Sequence, residues 1–279
     1  MGCVIRLLER TGACRQQVGI MHHTQFDIVA IGLLVISGFA VGPALNRSFK
    51  TQQMLFPRVK SAFATKESLV RESFKRANLT SPPTRVLIRV FKREQALELW
   101  SANSATAPFQ LAKTYKICAS SGALGPKRAQ GDHQVPEGFY EINRFNPMSN
   151  YHLSLGVDYP NRSDKILGGG RNLGGDIFIH GNCVTIGCVP MGDDAIEELY
   201  VIAVEARAGG QTRIPVHIFP ARLDERGLAR LQREYAANKP VLGFWENLKA
   251  GYDYFEQHHG PPAITVDKSG KYSFADPAK

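Results

Sequence analysis

Cysteine is scarce in this chain. Five in 279 residues are too few and too unevenly spread for a disulfide scaffold. Cys3 and Cys14 lie upstream of an apolar stretch, which leaves Cys118, Cys183 and Cys188 for the folded part. Three is an odd number, so at least one thiol stays free if the other two pair. No long Lys/Arg block and no aromatic-basic repeat is present, which argues against nucleic acid as a partner. The charge is nevertheless one-sided: 34 Lys+Arg stand against 25 Asp+Glu, for a net +9. That balance points to some polyanionic neighbour, with anionic lipid and anionic wall polymer both qualifying. Internal repeats are missing, and 43% hydrophobic with 21% charged residues excludes wholesale disorder. The longest uncharged apolar run, Ile28 to Val41, has only fourteen residues.

Fourteen is short for a membrane-spanning helix of about twenty residues but suits the core of an export signal. Arg6, Arg10 and Arg15 supply a basic leader, Met21 is an alternative start, and Gly38-Phe39-Ala40 is an acceptable cleavage site. Residues 1–42 are thus expected to be a signal peptide or an uncleaved membrane anchor, and the remainder to be periplasmic. Residues 43–84 read as a helical arm and linker. Leu69, Val70, Phe74 and Ala77 fall at helical spacing before Ser81-Pro82-Pro83 breaks the chain. From Arg85 the texture changes. RVLIRVFKREQALELW predicts a hairpin about Lys92-Arg93-Glu94, and further strands are expected at 109–120, 138–145, 151–157 and 214–220. A helix is expected over 193–208 with Asp193 as N-cap, and two more over 224–238 and 244–258, then a tail. Residues 85–220 form the expected catalytic domain and 221–279 a helical extension packed on it. The class is α+β, rich in strands.

The chemistry concentrates in IFIHGNCVTIGCVPM, Ile177 to Met191. An alternating run ends on His180 with Gly181 behind it, and a second short run ends on Gly187-Cys188. An imidazole and a thiol therefore stand at the ends of adjacent short strands, as nucleophilic thiol catalysis needs. A free cysteine is most often a small buried hydrophobe. Here the helix that follows is expected to lower the thiol pKa, and Gly187 would let backbone N–H groups act as an oxyanion hole. Three groups compete to orient His180: a backbone carbonyl, Asp176, and His152. A zinc site would need Cys118, His152 or His217 to join His180, Cys183 and Cys188, and none has characteristic spacing, so no metal is expected. Cys183 reads as a core or strand residue, or as a partner of Cys118. The glycine-rich stretch 168–175 lacks the context of a phosphate loop. It reads as a lid that carries Arg171 toward a substrate carboxylate. Tyr151, His152 and Arg171 are candidate substrate-binding residues. Asp193, Asp194, Glu197 and Glu198 read as a favourable first turn and a solvated helix face.

HGNCVTIGC resembles the active-site motif of the L,D-transpeptidase (YkuD-type) catalytic domain, in which a His-Gly is followed by Ser/Thr-x-Gly-Cys. Residues 113–161 and GC-x-x-M-x-D followed by IEELY resemble a subgroup with a compressed motif. The resemblance implies a mixed sheet or sandwich with flanking helices. It also implies Cys188 as nucleophile, His180 as base, Thr185 as the motif hydroxyl and Gly187 as the glycine ahead of the cysteine. Ile186 stands where most members carry a second histidine, and the spacing is shorter. No cofactor is implied. The implied substrates are peptidoglycan stem peptides, attacked at the L-centre carbonyl of the position-3 diaminoacid. The acceptor stays open between an amine of a second stem or wall-linked lipoprotein and water, since the subgroup includes an enzyme that releases lipoprotein from peptidoglycan.

Overall fold

The computed structural model describes residues 48–277. The basic region and apolar segment expected to direct export lie outside the described residues. No described helix is long and apolar enough to cross a membrane.

The first hairpin forms where alternation and the charged turn predict it. Strands β1 (Val86–Phe91) and β2 (Ala96–Ser101) pair antiparallel, Phe91 opposite Ala96. With β3 (Gln110–Lys116), β4 (Gly138–Asn146), β5 (Ser154–Val157), β6 (Ile177–His180), β7 (Val189–Pro190) and β8 (Pro215–Phe219) they build one eight-stranded sheet, ordered β3-β2-β1-β8-β4-β5-β6-β7. Two of its pairings are parallel, β1 with β8 and β6 with β7, so the sheet is mixed, as the resemblance implies.

Strand β1 is buried along its whole length, which is why it reads as a near-continuous apolar run. Val86, Ile88 and Val90 enter a core shared with helices α2 (Pro57–Arg76) and α4 (Asp193–Ala208), while Phe91 joins a second cluster under α6 (Lys239–His258). Because α4 lies between the sheet and α2, its middle is buried almost all round, and the segment VIAVEA needs little polar face. The arm is therefore a packing helix, preceded by the short α1 (Phe49–Gln53). Pro57 restarts the helix at its first position, where a missing N–H costs nothing.

Four expectations shift. The strand expected over 151–157 begins only at Ser154, because Tyr151 and His152 lie in a turn with His152 at φ +68°. A six-residue helix, α3 (Arg162–Leu167), forms unpredicted on a capping box made by Asn161 and Asp164. Helix α5 (Glu225–Glu234) ends early, and α6 starts at Lys239, capped by Asn238. The tail is a hairpin, β9 (Ala263–Val266) with β10 (Tyr272–Ala275), whose Tyr272 is buried against the sheet.

Candidate active site

Strand β6 ends on His180, whose side chain is 1% exposed. Its Nδ1 donates to the Gly181 carbonyl at 2.5 Å, which fixes the tautomer and leaves Nε2 as acceptor. The backbone carbonyl is thus the orienting group among the three candidates. His152 turns away to Glu197, at 2.8 Å, and the Asp176 carboxylate is held by Arg144, at 2.8 Å. Tyr151 lies over the His180 ring, with centroids 4.7 Å apart. Glycine is required at 181, because a Cβ there would stand 2.6 Å from Asp193 Oδ1 and 2.8 Å from the Tyr151 carbonyl.

Cys188 immediately precedes β7, which pairs in parallel with β6 so that His180 registers with Pro190. Thiol and imidazole consequently line one cavity of about 300 Å³, together with Tyr151, Ser154, Asp176, Phe178 and Thr185. Ile186, where a second histidine is usual, is 75% exposed and forms part of its rim. Cys188 also lines a second cavity of about 310 Å³, walled by Lys92, Arg93, Ser120, Ser121 and Tyr235. Cys188 therefore stands on the wall of two cavities, and its Sγ donates to the Asp176 carbonyl at 3.6 Å.

Thr185 holds the loop in shape. Its hydroxyl accepts from Gly187 N at 3.1 Å and Cys188 N at 2.8 Å, and donates to the Cys188 carbonyl at 2.8 Å. Gly187 sits at φ +138°, a conformation that favours glycine. Those two N–H groups, expected to serve an oxyanion hole, are instead committed to Thr185. Cys118 and Cys183 form a disulfide, Cα–Cα 5.5 Å, that ties the same loop to the end of β3. This settles the two readings of Cys183 and leaves Cys188 as the free thiol among the described residues.

The YkuD family model, the L,D-transpeptidase catalytic domain, matches residues 85–218. A curated relative from Escherichia coli K12, named "Putative L,D-transpeptidase YafK", is 38% identical over 210 residues, covering 75% of this chain and 80% of its own. The chain belongs to the L,D-transpeptidase (YkuD) family. Among solved structures, the helical cell shape determining protein Pgp2 of Campylobacter jejuni is 16% identical at a TM-score of 0.40, covering 71% of this chain and 80% of its own. Bd1075 of Bdellovibrio bacteriovorus is 18% identical at 0.37, covering 67% and 79%. Similarity at that level adds nothing to the assignment.

The electrostatics of this L,D-transpeptidase-family site correct one expectation. Burial pushes the Cys188 thiol above its usual 9.0, with the Asp176 charge adding to the rise and a Phe178 backbone hydrogen bond and Lys127 opposing it. The helix dipole does not rescue the thiolate, because α4 starts only at Asp193. Burial also lowers His180 below 6.5, although the bond to Gly181 opposes the drop. Both shifts favour the uncharged forms, thiol and neutral imidazole, over a preformed thiolate–imidazolium pair.

Other side chains stand elsewhere than expected. Gly192, not Asp193, is the N-cap of α4, and Asp193 instead accepts from Asn182 N at 2.7 Å. Glu198 is buried, holding Lys113 at 2.6 Å and the Tyr115 hydroxyl at 3.0 Å, so the acidic face of α4 is only partly solvated. Arg171 donates to its own turn, to the Gly168 carbonyl at 2.9 Å, and lines neither cavity at Cys188. The glycine-rich stretch is pinned to Gln130 rather than laid over the site. In its place stands Arg93, read from sequence only as a turn charge. Its Nη2 pairs with Glu234 on α5, while its buried Nη1 has no partner. Alternation within the hairpin carries no sign that its turn would wall a cavity.

Proposed function

We propose that this L,D-transpeptidase-family protein is an exported cysteine acyltransferase of peptidoglycan. The observation that carries the reading is the placement of His180, at the end of β6, and Cys188, just ahead of the parallel β7, in one cavity, with Cys188 lining a second as well. His180 Nε2 takes the Sγ proton as sulfur attacks the L-centre carbonyl of the position-3 diaminoacid in a stem tetrapeptide. The carbon–nitrogen bond to D-alanine breaks, the imidazolium returns its proton to the leaving amine, and a thioester remains on Cys188. An acceptor amine then attacks while His180 accepts its proton, and the expelled sulfur recovers a proton from the imidazolium. Donor and acceptor can approach from the two cavities that Cys188 lines. The Arg93 side of the second cavity suits a carboxylate-bearing peptide.

The same steps with water as acceptor give a hydrolase that frees peptide or wall-linked lipoprotein. On this reading the apolar run Ile28 to Val41 exports the domain to the periplasm, cleaved or anchored to the inner membrane, where the net positive charge suits a polyanionic wall. The test is to incubate the protein with tetrapeptide muropeptides and read the products. D-Alanine release with new cross-links supports transfer, and release with free tripeptide supports hydrolysis. Absence of D-alanine release, or release equal in Cys188→Ala, refutes both.

A further inference from the structure

Helix α2 lies outside the segment that matches the family model, yet it reaches the site. Arg58, near its start, donates from Nη1 to two backbone carbonyls, Ser149 at 2.6 Å and His152 at 2.8 Å. Those carbonyls bracket Tyr151, the residue whose ring lies on His180. The turn between them does not hold itself. His152 is in the left-handed region at φ +68°, uncommon for a residue other than glycine, and the side-chain tie within the turn is Tyr151 N to Ser149 Oγ at 3.0 Å. Its remaining anchors come from helices: Glu197 of α4 receives His152 Nε2, and Arg58 of α2 holds both ends. The Tyr151 carbonyl in turn presses close to Gly181, the residue that orients the His180 ring. A displaced turn would therefore disturb the ring from two sides.

We propose that Arg58 is a positioning residue of the active site: it fixes the 149–152 turn that keeps Tyr151 packed on the His180 imidazole. The proposal rests on the reading of His180 as the base. Both bonds leave one nitrogen, Nη1, whose two hydrogens are fixed in the guanidinium plane, whereas a lysine ammonium turns freely on a flexible stem. Burial holds the His180 pKa down and Tyr151 covers the ring, so a loosened turn that admits water should let it rise. The other titratable groups lining that cavity are Asp176, Tyr151 and Cys188, and Asp193 stands beside Gly181. Replacing Arg58 alters none of them directly.

The experiment follows the His180 imidazole by NMR titration in full-length protein, assigned by its loss in His180→Gln, together with the thermal midpoint of each variant. In Arg58→Ala and in Tyr151→Ala the His180 midpoint should move up toward 6.5, by the same amount, and the double variant should move no further. Arg58→Lys should recover part of the difference. Arg71→Ala, on an exposed residue of the same helix, should leave the titration unchanged. Cys188 acylation by tetrapeptide should fall about tenfold in Arg58→Ala through kcat more than KM. The link is overturned if Arg58→Ala lowers the thermal midpoint but leaves the His180 titration in place, or if the two single shifts add. The titration needs no substrate, so the link survives a failure of the peptidoglycan reading and falls separately from it.

Discussion

Two histidines of this sheet, His180 and His217, are each 1% exposed, and burial lowers the pKa of both. They differ in what surrounds them. His217, on β8, registers opposite Arg89 on β1 and packs edge-on against Phe139 at 4.9 Å, and its Nδ1 has no hydrogen-bond partner. Burial and then the Arg89 guanidinium bring it down to about 3. His180 has a carbonyl that fixes its tautomer, a thiol just ahead of the neighbouring strand and a cavity that both residues line. A perturbed histidine is thus not a site in itself. The thiol, the tautomer and the access make one.

That contrast can be broken at several points. Replacing His180 by Gln should slow formation of the Cys188 acyl-enzyme by about 10²- to 10⁴-fold, the usual contribution of a general base, while His217→Leu should leave it within about threefold. Rapid-quench mass spectrometry measures both. His217 should instead govern acid stability. Its folded pKa lies below the unfolded value of 6.5, so the unfolded chain takes up the proton first as pH falls, and stability should decline between pH 6.5 and about 3. The loss is on the order of a few kcal/mol in wild type and smaller in His217→Leu, as denaturant titrations at pH 7 and 4 would report. Removing the Cys118–Cys183 disulfide by a double serine substitution should cost about 2–4 kcal/mol. Thr185→Val should slow acylation about ten- to a hundredfold, since three hydrogen bonds to the Gly187–Cys188 backbone are lost. Arg93→Gln should have the smallest effect, about three- to tenfold and mainly in KM.

The contrast between the histidines also shows what the chain reveals before folding. The Cys188–His180 juxtaposition was legible because two short apolar runs end on those residues, whereas the run that carries His217 has no cysteine beside it. The hairpin of β1 and β2 was legible from alternation about a charged turn, and the helix α4 from its period and acidic start. The Tyr151 turn was not, because YHLSLGV alternates like a strand and only the positive φ of His152, held by Arg58 and Glu197, interrupts it. The Thr185 hydroxyl's grip on the two N–H groups was likewise invisible, as was the raised Cys188 thiol, which follows from burial rather than from its place ahead of a helix. Arg93 and Arg58 enter through contacts across long stretches of chain, to which local pattern is blind.

The central claim, that the Cys188–His180 pair performs acyl transfer on a stem peptide, is tested most directly by intact mass after brief exposure to a tetrapeptide muropeptide. Wild type and His217→Leu should each gain the mass of the peptide less D-alanine on Cys188, and His180→Gln should not on the same time scale. An adduct that forms equally in His180→Gln, or never forms in wild type while Cys188 stays reduced, would contradict it.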